Sequence, residues 1–153
     1  MSPETGNRKR VLFVCVGNSC RSQMAEAFAR TYGNDVLIAA SAGVAPAFSI
    51  APDTMRAMDE KNIDLRDHFP KSIRQLGRSQ FDIVINMSGV PLPPLAGARM
   101  LEWDVEDPIG MDYDEHCQIR DVVERLVMRL ILDARREVQE PKFKGQGSGY
   151  LKP

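Results

Sequence analysis

A short apolar run that ends in a cysteine, followed by a tight polar turn and a helix start, constrains this fold most. It reads VLFVCVGNSCRSQMAE over residues 11–26, with Cys15 where the run ends and Arg21 where a helix can begin. A strand–turn–helix connection aims backbone N–H groups and the positive end of the helix dipole into one concavity. The segment therefore predicts a site for a tetrahedral oxyanion.

The position of Cys15 at the lip of this concavity predicts a nucleophile. A free thiol is only a few per cent ionised near neutrality, but a helix N-terminus and a nearby arginine favour the thiolate. Arg21 offers a planar fork to two oxygens of phosphate or arsenate. Ser22 can donate a hydrogen bond to the sulfur or cap the helix. The alternative is a buried cysteine that only ends a core strand.

Composition narrows the class of protein. The chain has 153 residues, a net charge of −1 and an isoelectric point near 6.1, so neither nucleic acid nor an acidic membrane surface is an expected partner. No apolar run approaches the roughly 18 residues of a membrane span. Met1–Asn7 is polar, and the three cysteines are an odd number, which indicates a reducing, cytoplasmic location. No Cys/His cluster predicts a metal, and we expect no cofactor.

Strand-like and helix-like segments alternate along the chain. Strands are predicted at Val11–Cys15, Val36–Ala40, Phe81–Asn86 and Arg99–Trp103, and helices at Arg21–Tyr32, Pro52–Asn62, Pro70–Leu76 and about Asp114–Val138. This order predicts a single three-layer α/β domain over residues 8–138, with about four parallel strands and helices on both faces. The cysteine loop lies at the carboxyl end of the first strand, where such folds bind ligands. Residues 1–7 and 139–153 are expected to be flexible tails.

The ordered motifs carry a family resemblance. CVGNSCRS has a cysteine, five residues, an arginine and a serine, and Ser41-Ala42-Gly43, Ile63-Asp64 with His68, and Asp107-Pro108 follow in order. Over roughly residues 10–138 the chain resembles the low-molecular-weight protein tyrosine phosphatase superfamily, which includes the thioredoxin-linked arsenate reductases. The stretch NSCRSQMAE is most similar to the arsenate reductase branch.

The resemblance implies a phosphocysteine mechanism without a metal. Its catalytic residues are Cys15, Arg21, Ser22 and Asp107; its phosphate-binding loop is Val16, Gly17, Asn18, Ser19, Cys20 and Arg21; and Asn18, Ser41 and His68 form a supporting network. From the residues alone the general acid stays open among Asp104, Glu106, Asp107, Asp112 and Asp114. The resemblance selects Asp107, because the acid of the family precedes a proline.

Two departures from the family separate its branches. Ile109-Gly110 follows the Asp-Pro pair, where tyrosine phosphatases of this type carry aromatic residues; we expect Phe48, Ile109 and Tyr113 to form the substrate rim. The thioredoxin-linked reductases use two further cysteines after the third strand. This chain has no cysteine between Cys20 and Cys117.

The leading hypothesis is a metal-independent hydrolase, a protein phosphatase acting on phosphotyrosine or a related phosphomonoester. The alternative is an arsenate reductase that uses an external thiol or a glutaredoxin-like partner. A non-catalytic oxyanion-binding regulatory module is disfavoured, because a binder needs no nucleophile and acid together. Cys20 has two open interpretations: a redox partner that forms a protective disulfide with Cys15, or a small buried apolar residue.

Overall fold

Strands and helices alternate along the described residues, which are 8–77, 79–95 and 97–139 of a computed structural model. The elements are β1 (Lys9–Cys15), α1 (Arg21–Gly33), β2 (Leu37–Gly43), α2 (Pro52–Asp59), a 3-10 turn (Arg74–Leu76), β3 (Ile83–Asn86), β4 (Arg99–Glu102) and α3 (Tyr113–Gln139). No helix in these ranges is long and apolar enough to span a membrane. The predicted flexible tails, 1–7 and 139–153, lie outside the described residues apart from Gln139, which ends α3.

The four strands form one parallel sheet in the order β2-β1-β3-β4. β1 is central and pairs with β2 on one side, as far as Cys15 opposite Gly43, and with β3 on the other. The chain thus moves from β1 to one neighbour and then crosses to the other. In a parallel sheet this switch point leaves a crevice beyond the carboxyl end of the central strand. Cys15 lies at that end, so the predicted α/β domain with a four-stranded parallel sheet is confirmed.

The two faces of the sheet are covered differently. Side chains of β1 alternate: Phe13 packs in the cluster that contains all three α-helices, and Leu12 packs in the cluster on the opposite face. That opposite face is covered by the 3-10 turn and by the proline-rich loop after β3 (residues 91–95), where the sequence predicts a layer of helix. The residues packed there are Ile73, Leu76, Phe81, Leu92, Leu95 and Ala98.

The predicted helix Pro70–Leu76 is only the short 3-10 turn. Its first residues are extended, because Ser72 forms a parallel bridge with Gly43 and the Lys71 carbonyl accepts from the Gly43 N–H at 2.7 Å. Gly77 then turns the chain with a φ of 67°. Pairing with the end of β2 therefore leaves too few residues for an α-helix.

Candidate active site

In the loop from Cys15 to Arg21, here called the cysteine loop, most backbone carbonyls are hydrogen-bonded and the N–H groups are not. Its carbonyls at Cys15, Val16, Gly17, Ser19 and Cys20 accept from the N–H groups of Val44, Ala45, Ala47, Ala51 and Met24. None of the loop's N–H groups from Val16 to Arg21 donates to an acceptor within the described residues. A run of unpaired N–H groups before a helix is an anion-binding nest. The loop can therefore cradle an oxyanion.

Two local features give the cysteine loop its shape. Asn18 has a φ of 52°, a left-handed conformation that asparagine tolerates better than most residues. Gly43, at the end of β2, lies directly against the loop. A Cβ there would be 2.7 Å from the Val16 carbonyl oxygen and 2.9 Å from the Asn18 Cβ. Only glycine allows β2 to approach the loop this closely.

Cys15 is buried at the base of the loop, with 1 % of its surface exposed. Its Sγ lies 2.8 Å from the Ser22 Oγ and 3.4 Å from the Ser22 backbone nitrogen, in the first turn of α1. Both groups can donate hydrogen bonds to a thiolate. The sulfur thus lies at the N-terminus of α1, the position that the predicted nucleophile requires.

Arg21 is anchored through its Nη1, while the N–H of its Nε has no partner among the described residues. Its Nη1 donates to the carbonyls of Met87 at 2.6 Å and Val105 at 2.9 Å, in the loops that follow β3 and β4. Its Nε is buried and has no hydrogen-bond partner in the part of the chain that the structure describes. A buried unpaired N–H is costly, and a bound oxyanion would satisfy it.

Asp107 is the acidic candidate that the structure brings to Arg21. Its Oδ2 lies 3.6 Å from the Arg21 Nη2, and its Oδ1 accepts from the Ile109 N–H at 3.1 Å. By contrast, Asp112 caps α3. Its Oδ1 accepts from the Glu115 N–H at 2.8 Å, and the Glu115 Oε1 accepts from the Asp112 N–H at 3.1 Å. Asp107 can therefore exchange a proton with an oxygen bound at Arg21.

A buried hydrogen-bond network supports the loop through Asn18. The Asn18 Nδ2 donates to the Ser22 Oγ at 2.7 Å and to the Ser41 Oγ at 3.0 Å. The structure thus joins Asn18 directly to Ser41, the pairing that the resemblance implied. It also connects β2 with the serine that contacts the Cys15 sulfur.

His68 reaches this network through Gln23. The Asn18 Oδ1 accepts from the Lys71 N–H at 2.9 Å and from the Gln23 Nε2 at 3.1 Å, and the Gln23 Oε1 lies 3.0 Å from the His68 Nδ1. Burial lowers the pKa of His68, with the Glu26 carboxylate acting in the opposite direction. His68 is therefore held neutral more readily than a solvated histidine.

Sequence analysis missed Glu26, which extends the same network. Its side chain is buried, with the whole residue 3 % exposed, and it accepts from the Ser41 Oγ at 2.5 Å. Its other oxygen is 2.6 Å from the Arg30 Nη2. The available signal was its spacing of four residues from Ser22, which puts both on one face of α1.

Cys20 is buried on the α2 side of the loop. Burial raises the pKa of the Cys20 thiol, and hydrogen bonds from Thr54 and Ser19 oppose that rise. Thr54 in turn lies 2.9 Å from the His116 Nε2. Cys15, Cys20 and Cys117 are all free thiols.

The predicted rim residues lie in different environments. Phe48 and Ile109 are exposed, and Ile109 lines a cavity of about 210 Å³ together with Pro52, Asp53 and His116. Tyr113 is held against α2, and its place in the substrate rim stays a prediction. Its ring lies under the Arg56 guanidinium at 3.7 Å and its hydroxyl donates to the Glu60 carboxylate at 2.5 Å, so it is tied to α2.

Comparison with known proteins places the chain in a family. Residues 10–92, more than half of the chain, match the model described as "Low molecular weight phosphotyrosine protein phosphatase". The "Glutaredoxin arsenate reductase" of Synechocystis sp. is 35% identical over 127 residues, 80% of this chain and 96% of that protein.

Solved structures agree with this assignment. "An arsenate reductase in the phosphate binding state" is 34% identical with a TM-score of 0.76, over 82% of this chain and 98% of that one. A low molecular weight protein tyrosine phosphatase from T. tengcongensis is 32% identical with a TM-score of 0.69, over 82% and 99% of the two chains. The resemblance read from the motifs is confirmed: the chain belongs to the low molecular weight phosphotyrosine protein phosphatase family.

Proposed function

We propose that this protein is an arsenate reductase in which Cys15 is the nucleophile and an external thiol supplies the electrons. The observation that carries the proposal is the likeness over nearly the full length of a relative named glutaredoxin arsenate reductase. This favours the alternative of the sequence analysis over its leading phosphatase hypothesis. The cradle supports it chemically, because arsenate is a tetrahedral oxyanion of the kind that such loops bind.

The first step forms a covalent adduct. Arsenate oxygens accept from the N–H groups of the cysteine loop and from Arg21, and the Cys15 thiolate attacks arsenic. One arsenate oxygen departs with a proton from Asp107 and leaves as water. The product carries arsenic(V) on the Cys15 sulfur.

The second step requires another thiol. An external thiolate attacks the Cys15 Sγ, the sulfur–arsenic bond breaks, and its electron pair stays on arsenic, which leaves as arsenite. A second external thiol then reduces the mixed disulfide on Cys15. Two thiols become one disulfide while arsenic(V) becomes arsenic(III). The donor is placed outside the chain because the loop after β3 contains no cysteine and Cys117 lies on α3.

A phosphatase is the second candidate, and the position of Asp107 favours it. Hydrolysis of a phosphomonoester needs an acid for the leaving oxygen and then a base for water, and Asp107 beside Arg21 suits both roles. The substrate would be a phosphorylated protein, with phosphotyrosine or a related group, or a small phosphomonoester. Phe48 and Ile109 would border it, without the aromatic pair after the Asp-Pro that a phenyl slot would use.

Paired assays on one reduced, metal-free preparation test the proposal. Arsenite formation is measured with glutathione and a glutaredoxin, and phosphate release is measured from para-nitrophenyl phosphate. We expect thiol-dependent arsenite formation in the wild type and in the matched control Cys117→Ser, and none in Cys15→Ser. Intact-mass analysis of the trapped intermediate should find a mixed disulfide on Cys15. A Cys15–Cys20 disulfide would instead place the second thiol inside the chain.

A different pair of results would refute the proposal. Turnover of para-nitrophenyl phosphate without arsenite formation, whether glutathione with glutaredoxin or dithiothreitol is supplied, would refute the reductase and leave the phosphatase.

A further inference from the structure

We propose that Asn86, the last residue of β3, is a positioning residue for oxyanion binding. Its side-chain amide orients the peptide between Met87 and Ser88, and the carbonyl of that peptide anchors Arg21. Sequence analysis assigned Asn86 no role beyond the end of a strand. The inference rests on the oxyanion cradle of the proposed function and concerns binding, so it applies to either candidate reaction.

The peptide between Met87 and Ser88 is held at both ends. Its carbonyl oxygen accepts from the Arg21 Nη1 at 2.6 Å. Its N–H, which belongs to Ser88, donates to the Asn86 Oδ1 at 2.9 Å. A trans peptide is planar, so its carbonyl and its N–H point in opposite directions. Fixing the N–H therefore fixes the direction of the carbonyl that Arg21 uses.

The pairing of β3 with β1 does not orient this peptide. The Met87 N–H donates to the Val14 carbonyl at 2.7 Å, but that N–H lies in the preceding peptide. Rotation about the Met87 Cα–C bond can still turn the Met87 carbonyl. Among the described residues, the Asn86 Oδ1 is the one acceptor of the Ser88 N–H. The direction of the carbonyl thus depends on the Asn86 side chain.

Asn86 is itself held firmly, because all four hydrogen-bonding positions of its amide are used and the residue is only 1 % exposed. Its Oδ1 also accepts from the Ser88 Oγ at 2.6 Å. Its Nδ2 donates to the Val90 carbonyl at 2.7 Å and to the Glu102 carboxylate at 3.2 Å. A backbone N–H can only donate and a carbonyl can only accept, so these contacts also decide which end of the amide is the oxygen.

The anchor decides which donors of Arg21 face the cradle. Because Nη1 is bound to the carbonyls of Met87 and Val105, the Nε and the Nη2 are left on the other edge of the planar guanidinium. The Nε has no partner among the described residues, and the Nη2 lies 3.6 Å from the Asp107 carboxylate. Such an edge can bind two oxygens of an anion. If the Met87 carbonyl turns away, one of the two anchors is lost and the edge is no longer fixed.

A role for Asn86 only in the shape of the loop makes a different prediction. The Ser88 Oγ accepts from the Val90 N–H at 3.1 Å, so Ser88→Ala also disturbs the loop. It keeps the backbone N–H of residue 88 on the Asn86 Oδ1, however. If Asn86 only shaped the loop, Asn86→Leu and Ser88→Ala would have comparable effects. If Asn86 acts through Arg21, the effect of Asn86→Leu should be larger and should require the guanidinium.

The test is an NMR titration of each variant with inorganic phosphate, which measures weak binding as well as tight binding. Asn86→Leu replaces the amide by an apolar group of similar size. We expect its phosphate affinity to fall about tenfold, because a binding group that is displaced or loosened loses affinity. The control Ser88→Ala should stay within about twofold of the wild type. In an Arg21→Lys background, adding Asn86→Leu should change the affinity by less than about twofold.

A signal of Arg21 itself gives a second readout. The Arg21 Nε–H resonance is identified by its absence in Arg21→Lys. It should be unchanged in Ser88→Ala and should shift or broaden in Asn86→Leu, because the guanidinium edge is then no longer fixed. Urea unfolding of each variant reports any loss of stability separately.

These measurements decide the inference without any turnover assay. Unchanged affinity in a folded Asn86→Leu, an equal loss in Ser88→Ala, or the same loss with and without the Arg21 guanidinium would overturn it. If Asn86→Leu does not fold, Asn86→Ala removes the same amide with a smaller side chain, and the same outcomes apply to it. Failure of the arsenate assay would overturn the proposed reductase and leave these binding results as they are.

Discussion

Replacing Gly43 by alanine should impair oxyanion binding although Gly43 lies outside the cysteine loop. The added Cβ would lie 2.7 Å from the Val16 carbonyl oxygen and 3.0 Å from the Asn18 nitrogen. The shortest ordinary distance between a carbon and an oxygen in contact is about 3.3 Å. The Val16 peptide must therefore move by about 0.6 Å, because the neighbours are backbone atoms that cannot rotate away.

The size of the effect follows from this displacement. Binding groups must be held within about 0.5 Å of their productive geometry, and a displacement of about 1 Å can cost about a hundredfold. We expect phosphate affinity to fall about tenfold, which corresponds to about 1.4 kcal/mol. The overpacked site should also reduce the free energy of unfolding by about 1–3 kcal/mol.

Gly33→Ala is the matched control. Its Cβ would lie 2.5 Å from the Ile131 Cγ1, a tight contact with a side chain between α1 and α3, away from the cysteine loop. This variant should lose stability and keep its affinity for inorganic phosphate. Calorimetric titration measures the affinity, and urea unfolding measures the stability. The reasoning is wrong if Gly43→Ala binds phosphate like the wild type, or if Gly33→Ala loses affinity to the same extent.

Three further outcomes are expected. Thr54→Val should raise the pKa of the Cys20 thiol further, because a hydrogen bond that opposes the effect of burial is lost; slower alkylation of Cys20 by mass spectrometry would show it. Burial lowers the pKa of His68 and of His116, so the folded state binds fewer protons than the unfolded chain near pH 6. Stability should therefore fall as the pH drops below about 6.5, and urea midpoints should fall less when both are glutamine. Asp107→Asn should reduce turnover by about 10²–10⁴-fold with phosphate affinity retained, and equal turnover would refute its role as acid.

The part of the site that sequence predicts is local. The strand, the turn and the helix that carry Cys15, Arg21 and Ser22 are contiguous, so their spacing alone brings them together. The alternation of strands with helices likewise predicts a parallel sheet, because each crossover needs a covering element.

The part that sequence does not predict depends on distant contacts. The pattern of residues 70–76 predicts a helix, but Ser72 pairs with Gly43 and the first residues of the segment are extended. Tyr113 lies near the Asp-Pro pair in sequence, yet Arg56 and Glu60 hold it on α2. The residues alone leave five acidic candidates, and although the Asp-Pro resemblance selects Asp107, its contact with Arg21 forms only in the folded chain.

The anchoring of Arg21 also has a kinetic consequence. Its guanidinium is held by carbonyls 66 and 84 residues further along the chain, in the loops that follow β3 and β4. The binding site is therefore incomplete until the last two strands have joined the sheet. An oxyanion is then a ligand of the finished fold and not a template for its formation. Bound phosphate should slow unfolding and leave the refolding rate nearly unchanged, since stabilisation absent from the transition state appears in the unfolding rate.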